Sequence, residues 1–445
     1  MSQMTGSRLL TLSISLVGAR VIGAALTFGA QILIARWLGA DTLGEFAVAM
    51  SLAGVLSIIA AGGYPPIAQR FISKYRIENR PDLIAGFMYC ARRGMLVTAF
   101  GLMALTWLWL WLRPDGRSLN YTLALALGAL SAPAIATVFL NGSIASAFRR
   151  PFLGFLPDTL LRPLGLIAVL SLITFCIPTK MGAFELMLIT FGVAIGAAAI
   201  QWAIMSWRGI NVPREVPRTR LDSLWRQSAL PLILISLFTN YFIETDILLL
   251  SSLLDAEEVG IFNLCARFTA FTIFALHSVN QLALPDLADA HTRADRSGVT
   301  RALKRANLAG LGLSLSALII LAAVGRLVLG LVGPQFVQGY MVLVVLSFGQ
   351  VARAALGSSS VQLMTVMGHQ TKALPALLAG FATLIILNYT LVPRLGLDGA
   401  GIAMTAATIL WSVWLAISAR RVTGYDVTLW TTFRNALSRR SDAAA

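Results

Sequence analysis

The chain has 445 residues, of which 57% are hydrophobic and only 12% are charged, and its formal net charge is +15. Soluble domains carry about twice that charged fraction, and apolar windows recur along the whole chain, so the composition excludes a soluble protein and indicates a polytopic membrane protein. The positive charge does not indicate nucleic-acid binding, because the basic residues lie in alternate loops rather than on one face.

The apolar segments predict twelve membrane-spanning helices. A bilayer core requires roughly 20 apolar residues per helix, and lipid offers no partner for an unpaired backbone amide. The first segment is longer than the core of a signal peptide and is therefore counted as a span. In chain order the predicted spans are 9–37, 42–66, 90–112, 120–147, 155–177, 182–207, 227–253, 258–284, 307–333, 338–366, 372–393 and 399–419.

Lysine and arginine residues predict the orientation of the chain, because cytoplasmic loops carry the larger share of positive charge. The loops after the even-numbered spans are rich in these residues, whereas the opposite loops hold little beyond Arg113, Arg117, Lys180 and Arg394. Both termini are therefore predicted to be cytoplasmic.

Two internal similarities predict a duplicated unit. The segment LGADTLGEF at Leu38–Phe46 is similar to LDAEEVGIF at Leu254–Phe262, and Gly182–Ala183 corresponds to Gly399–Ala400 at nearly the same separation. A unit with an even number of spans repeats in parallel orientation, about an axis along the membrane normal. The predicted fold is all-α, with twelve transmembrane helices in two six-helix bundles related by a parallel pseudo-two-fold repeat around a central cleft. The predicted domains are an N-terminal lobe (1–208), a cytoplasmic loop (209–226), a C-terminal lobe (227–421) and a cytoplasmic tail (422–445).

Arginine residues inside the predicted spans are the main candidates for substrate binding. An ionisable side chain in the membrane is costly unless it is paired or faces water, and arginine binds phosphate in a bidentate manner. Arg20 and Gln31 lie on one polar face of the first span, Arg267 lies in the eighth span, and Arg353 lies in the tenth. Arg20 is the strongest candidate, because no acidic residue lies within two turns of it. Together these residues predict an anionic site that suits a phosphate-bearing lipid headgroup.

Two acidic residues of the seventh span, Glu244 and Asp246, are candidates for a coupling-ion site or for a structural ion pair. Asp246 and Arg267 are predicted at similar depths on antiparallel spans, so they could pair and thereby fix helix register instead of serving transport. Because Glu244 and Asp246 point to opposite faces of a helix, we expect at most one of them to line the cleft.

The remaining charges inside the spans have simpler interpretations. Asp158 and Arg162 are four residues apart in the fifth span and are predicted to pair with each other rather than to bind a ligand. Arg92 and Arg93, near the inner end of the third span, are predicted to extend toward cytoplasmic headgroups.

Patterns typical of enzymes and of cofactor-binding proteins are missing from the sequence. It lacks a GxxxxGK[ST] phosphate-binding motif, a nucleophile elbow and a loop long enough for an extramembrane catalytic domain. Cys90, Cys176 and Cys265 are scattered through apolar segments without metal-ligand spacing, and a disulfide framework is not expected. We therefore predict no catalytic residues, no metal and no cofactor.

Three segments carry a resemblance to a known family. IARWLGADTLGEFAVA in the first hairpin, ETDILLLSSLLDAEEVGIFNLCARF in spans seven and eight, and PRLGLDGAGIAMT before the last span resemble bacterial polysaccharide-biosynthesis flippases of the multidrug/oligosaccharidyl-lipid/polysaccharide (MOP) exporter superfamily. The resemblance covers nearly the whole chain, and the order and spacing of the segments make it fairly specific.

The resemblance implies two six-helix lobes in the bacterial cytoplasmic (inner) membrane. It implies translocation of a polyprenyl-diphosphate-linked glycan from the inner to the outer leaflet without ATP hydrolysis, with a polysaccharide polymerase or assembly complex as a further partner. Related lipid II flippases have cavity arginines in the first and eighth helices, and Arg20 and Arg267 are similarly placed in helix and depth.

Two other functions stay open. A cation-coupled drug antiporter of the same superfamily would favour acidic residues in the cleft, and the excess of arginine argues against it. A membrane polymerase or ligase acting on the same lipid-linked glycan would need a sizeable periplasmic loop with catalytic residues, and none is predicted.

Overall fold

A computed structural model describes residues 6–112, 118–176, 181–210, 217–219, 221–293 and 295–428. Within these ranges, the side chains of residues 6–17, 20, 155, 175, 365 and 370 and of several residues between 271 and 292 are not described. The chain divides into two compact units, Met1–Leu248 and Leu249–Ala445. Every regular element in the described part is helical, which confirms the predicted all-α fold.

The first unit contains ten described helical elements, and its boundary at Leu248 falls inside the last of them. They are α1 (Gly6–Ala60), α2 (Tyr64–Ile77), α3 (Pro81–Leu112), α4 (Leu119–Ala147), α5 (Pro151–Leu156), a π-helical turn (Pro157–Leu161), α6 (Arg162–Cys176), α7 (Ala183–Trp207), α8 (Asp222–Asn240) and α9 (Phe242–Leu250).

The second unit contains the remaining described helices. They are α10 (Ala256–Thr292), α11 (Arg296–Val332), a 3-10 turn (Pro334–Gly339), α12 (Tyr340–Ala355), α13 (Ser360–Val366), a second 3-10 turn (Gln370–Ala373) and α14 (Leu374–Thr423).

Each of the twelve predicted spans overlaps one of these helices or consecutive ones, although several span ends lie outside a helix and residue 177, the end of the fifth span, is outside the described residues. By length and composition, eight described helices could cross a membrane, or nine when the bent pair α8–α9 is one span. This number is below twelve partly because α1 and α14 each cover most of two predicted spans. Between those spans the helical backbone angles are interrupted, at Gly39 (φ 88°) in α1 and at Gly396 (φ 54°) in α14. Glycine adopts positive φ at little cost, so it suits both interruptions.

Small residues set the close helix packing inside each unit. In the first unit, a Cβ atom on Gly128 of α4 would lie 2.6 Å from the carbonyl oxygen of Ala49 in α1. In the second unit, a Cβ atom on Gly380 would lie 2.7 Å from the Cβ of Trp411, so the two halves of α14 pack against each other. Helices in lipid associate mainly through such close backbone approach.

Two helices of the first unit are interrupted within a predicted span. The π-helical turn Pro157–Leu161 separates α5 from α6, and α8 and α9 meet at Tyr241 with a bend of 73°. Short π-helical segments occur frequently at functional sites, and transporters bind substrates and ions at discontinuous helices. The surroundings of these two interruptions are therefore candidates for function.

Candidate functional site

The π-helical turn of the first unit holds an ion pair. Arg162 Nη1 lies 2.5 Å from Asp158 Oδ1, one turn away along the helix. The side chain of Arg162 is 19% exposed and that of Asp158 is 56% exposed. The predicted pairing of these two residues is confirmed, and the carboxylate keeps an accessible side.

At the bend, the backbone N–H and carbonyl of Tyr241 both form hydrogen bonds. The Tyr241 N–H donates to the carbonyl of Leu237 at 2.8 Å, and the Tyr241 carbonyl accepts from the Thr245 N–H at 3.0 Å and from the Thr245 hydroxyl at 2.8 Å. Because each backbone group of Tyr241 has a partner, the helix can break here without an unpaired amide in an apolar region.

The phenol of Tyr241 joins the two interruptions. Asp158, Glu244 and Arg162 are the charged groups whose electrostatic fields reach its hydroxyl, and Ser57 of α1 is the neighbouring polar side chain. We call these five residues the polar cluster. It contains two carboxylates and one guanidinium, so it has an excess of one negative charge when all three are ionised.

Two glycines of α1 allow the helix to lie against both interruptions. A Cβ atom on Gly23 would overlap with the backbone carbonyl of Thr159 in the π-helical turn, and a Cβ atom on Gly54 would lie 2.8 Å from Cε1 of Tyr241. The absence of a side chain at these positions therefore sets how closely α1 approaches the polar cluster.

The polar cluster has the composition of a site for a proton or a cation. A carboxylate inside a membrane protein is retained at a cost and marks ion or proton pathways, and a phenol supplies a neutral hydrogen-bonding group. Among the described residues, no group of three or more His, Cys, Asp or Glu side chains is arranged to hold a metal ion.

The candidate residues predicted in the first unit lie in different settings. Arg20 lies in α1 one turn before Gly23, but its side chain is outside the described residues. Gln31, further along α1, is half-buried. Glu244 is half-buried in the polar cluster, whereas Asp246 is fully buried, so the two acids of α9 occupy different environments.

The candidate arginines of the second unit each contact a specific neighbour. Arg267 in α10 is half-buried, and its Nε donates to Oδ1 of the buried Asn263 one turn earlier, at 3.4 Å. Arg353 in α12 is also half-buried, and its guanidinium carbon lies 5.1 Å from the ring centroid of Trp411 in α14. The side chain of His277, also in α10, is outside the described residues.

Sequence reasoning did not find Ser57 or Tyr241. The prolines at 157 and 163, on either side of the Asp158–Arg162 pair, could have indicated an irregular helix there. No local pattern marks Tyr241, because its role depends on residues that lie far away in the sequence.

The sequence matches a known family over most of its length. The family profile described as polysaccharide biosynthesis protein matches residues 9–289. No curated protein matches the sequence.

Several solved structures share the fold. An inward-facing multidrug resistance MATE family transporter of the MOP superfamily is 13% identical, with 91% of this chain and 97% of that chain covered and a TM-score of 0.74. The lipid II flippase MurJ in an inward closed conformation is 15% identical, with 91% and 87% covered and a TM-score of 0.72. A MOP superfamily transporter from Pyrococcus furiosus, described as having a binding pocket of reverse polarity, is 15% identical, with 95% and 98% covered and a TM-score of 0.66. At these identities the likeness establishes the fold.

Proposed function

Because this chain belongs to the polysaccharide biosynthesis protein family, we propose that it is a flippase for a polyprenyl-diphosphate-linked oligosaccharide. It moves this lipid from the inner to the outer leaflet of the bacterial cytoplasmic membrane, for cell-surface or exopolysaccharide synthesis. The family match over residues 9–289 is the observation that carries the proposal. The shared fold with a lipid II flippase supports it, since the ligand of that protein is also lipid-linked.

Arginine residues supply the contacts to the diphosphate in this proposal. A guanidinium group stays charged when desolvated and forms paired hydrogen bonds with phosphate oxygens. Arg20 and Arg267 are the proposed primary contacts, with Gln31 and Arg353 as additional polar groups. Arg353 rests on the ring of Trp411, a contact that holds a cation in place without neutralising it.

Transport proceeds by alternating access without ATP hydrolysis. The protein alternates between a conformation open to one side of the membrane and a conformation open to the other side. The ligand shifts the populations of these conformations by binding one of them more tightly. The protein binds the sugar and the diphosphate, while the polyprenyl tail stays in the lipid. Glu244 or Asp246 binds the coupling proton or cation, and a polysaccharide polymerase or assembly complex receives the exported lipid.

Leaflet exchange of a fluorescent polyprenyl-diphosphate-linked sugar tests the proposal. The full-length protein is reconstituted into vesicles, and a membrane-impermeant quencher reports the leaflet that the probe occupies. We expect exchange with the wild-type protein and a loss of at least tenfold in Arg20→Ala and in Arg267→Ala, since a hydrogen bond to a charged group contributes roughly 1.5–3 kcal/mol. Arg301→Ala is the matched control, because Arg301 lies at the start of α11, outside the predicted spans, and is exposed.

The outcomes separate the competing functions. Wild-type exchange rates in both arginine variants, at equal protein levels, would remove the diphosphate contacts from the proposal. A chemically altered probe would identify an enzyme that acts on the lipid-linked glycan. Absence of leaflet exchange of the probe with the wild-type protein would refute the flippase proposal.

One observation favours a second candidate, a cation-coupled antiporter of small molecules. The polar cluster contains two carboxylates, Asp158 and Glu244, and the fold is shared with a multidrug resistance transporter. This function requires dye efflux that depends on a proton or sodium gradient and that is lost in Asp158→Asn or Glu244→Gln. Efflux that persists in both variants would exclude the carboxylates as its coupling site.

A further inference from the structure

A pocket lined by three arginines opens on the first unit, apart from the residues of the polar cluster. We call it the basic pocket. It has a volume of about 360 Å³, and its lining residues are Ala85, Met88, Tyr89, Arg92, Arg93, Leu96, Val97 and Arg218. None of these described lining residues is acidic, so the lining carries three positive charges and no negative charge.

Hydrogen bonds hold a short segment of chain against the start of α3. We call this segment, residues 217–219, the strap. The Thr219 N–H donates to the carbonyl of Asp82 at 3.3 Å, and the Thr219 hydroxyl donates to Asp82 Oδ2 at 2.8 Å. A Cβ atom on Gly86 would overlap with the Thr219 carbonyl, so only glycine lets the strap lie this close to the helix. The strap therefore places Arg218 at the pocket.

Two guanidinium groups of the basic pocket are oriented by neighbouring side chains. The guanidinium carbon of Arg218 lies 4.5 Å from the ring centroid of Tyr89, and Arg92 Nη2 donates to Oδ1 of Asn141 in α4 at 3.0 Å. The adjacent Arg93 is exposed. A cluster of arginines whose geometry is already set binds a phosphate group at a lower entropic cost than flexible side chains do.

The position of the pocket along α3 coincides with a membrane boundary. From Arg93 to the end of the helix at Leu112 the length is about 29 Å at 1.5 Å per residue, which matches a bilayer core. Exposed tryptophans, including Trp111, lie at the far end of α3, as expected for an interfacial aromatic belt. The exposed Val97 and Phe100 continue from the pocket toward the middle of the helix.

The chemistry along α3 matches one kind of ligand. Guanidinium groups suit a phosphate, and the exposed apolar residues that follow them in the helix suit an acyl chain. We propose that the basic pocket binds the headgroup phosphate of an anionic phospholipid, with an acyl chain against Val97 and Phe100. Unlike an arginine that merely extends to the interface, this arrangement discriminates between headgroups.

Native mass spectrometry of the full-length protein tests the proposal with two lipids of equal chain length, phosphatidylglycerol and phosphatidylcholine. We expect the wild-type protein to bind phosphatidylglycerol at least tenfold more tightly. Arg218→Ala is expected to remove most of this preference, and Gly86→Ala to reduce it by displacing the strap while all three arginines remain. Arg208→Ala is the matched control, because Arg208 is an exposed arginine that stacks on Trp207 at 5.0 Å but lines no part of the pocket.

Each outcome supports or overturns the proposal. Equal binding of the two lipids, or equal effects of Arg218→Ala and Arg208→Ala, would overturn it. A further experiment adds inorganic phosphate to the lipid-bound protein. Displacement of the lipid by millimolar phosphate would identify a site for a soluble anion and would refute a lipid site. If phosphatidylglycerol stays bound in the presence of millimolar phosphate, the result supports the phospholipid as the ligand. Binding is measured without transport, so its failure leaves the flippase proposal intact.

Discussion

Gly54→Ala tests the closest contact between α1 and the polar cluster. The new Cβ would lie 2.8 Å from Cε1 and 3.2 Å from Cδ1 of Tyr241. Carbon atoms pack best at separations of about 3.5–4.0 Å, so the ring or the helix must move by about 0.7 Å.

The expected cost follows from overpacking. One extra methyl group in a well-packed site destabilises a protein by about 1–3 kcal/mol. Replacing Tyr241 by leucine removes the atoms that clash, so in the Tyr241→Leu background Gly54→Ala is expected to cost less than about 0.5 kcal/mol. The coupling energy between the two substitutions is therefore about 0.5–3 kcal/mol, as expected for residues in contact.

Unfolding in mixed micelles, followed by tryptophan fluorescence, measures the four free energies of this cycle. Gly29→Ala is the matched control, because Gly29 lies in the same helix and a Cβ there would have no atom within 4 Å. We expect this control to have no effect or to stabilise α1 slightly. Equal costs of Gly54→Ala with and without Tyr241 would show that the contact is absent and would refute the geometry of the polar cluster.

Three further predictions concern local features of the fold. Tyr75→Phe removes the hydrogen bond from the Trp225 indole N–H to the Tyr75 hydroxyl, 3.1 Å long, and is expected to cost roughly 1 kcal/mol in unfolding. Trp225→Phe removes the same bond and also leaves a cavity, because Trp225 is fully buried, so it should cost more. In the Trp225→Phe background Tyr75→Phe should cost almost nothing, and an undiminished cost there would contradict the pairing. Asp295 caps α11, and the backbone N–H donated to its carboxylate lowers its pKa. Its stabilisation is therefore present at neutral pH and is lost as the pH falls through that lowered pKa, so Asp295→Asn should flatten the acid limb of the stability profile. Cys176 is exposed and Cys265 is buried, so a membrane-impermeant maleimide should label Cys176 from the predicted outer side; labelling from the cytoplasmic side alone would invert the proposed topology.

The sequence predicted the helical composition and the apolar segments well, because both follow from one-dimensional patterns. A bilayer imposes a fixed length and an apolar surface on each span, and these constraints are visible in any window of the chain. The glycines that interrupt α1 and α14 were visible in the same way, within the segments LGADTLGEF and PRLGLDGAGIAMT. Asp158 and Arg162 could be paired from sequence because an i,i+4 spacing determines proximity on a helix.

The polar cluster could not be predicted, because its members come from elements that are far apart in the sequence. Tyr241 lies against α1 only because the helix bends there and because Gly54 leaves room for the ring. The same reason applies to the basic pocket. Arg92 and Arg93 were recognised as interfacial residues, but nothing near Arg218 in the sequence connects it with α3.

Composition, hydropathy and loop charge were thus sufficient to identify this chain as a multi-helix membrane protein. Short segments of the sequence indicated its family. Tertiary structure alone decided which polar groups meet. Hydrophobic burial in lipid depends on the sum of apolar surface, which a sequence displays, whereas a hydrogen bond or an ion pair requires two atoms within about 3–4 Å. Glycines that permit close approach and bends that redirect a helix decide those distances, and both act between residues that the sequence keeps apart.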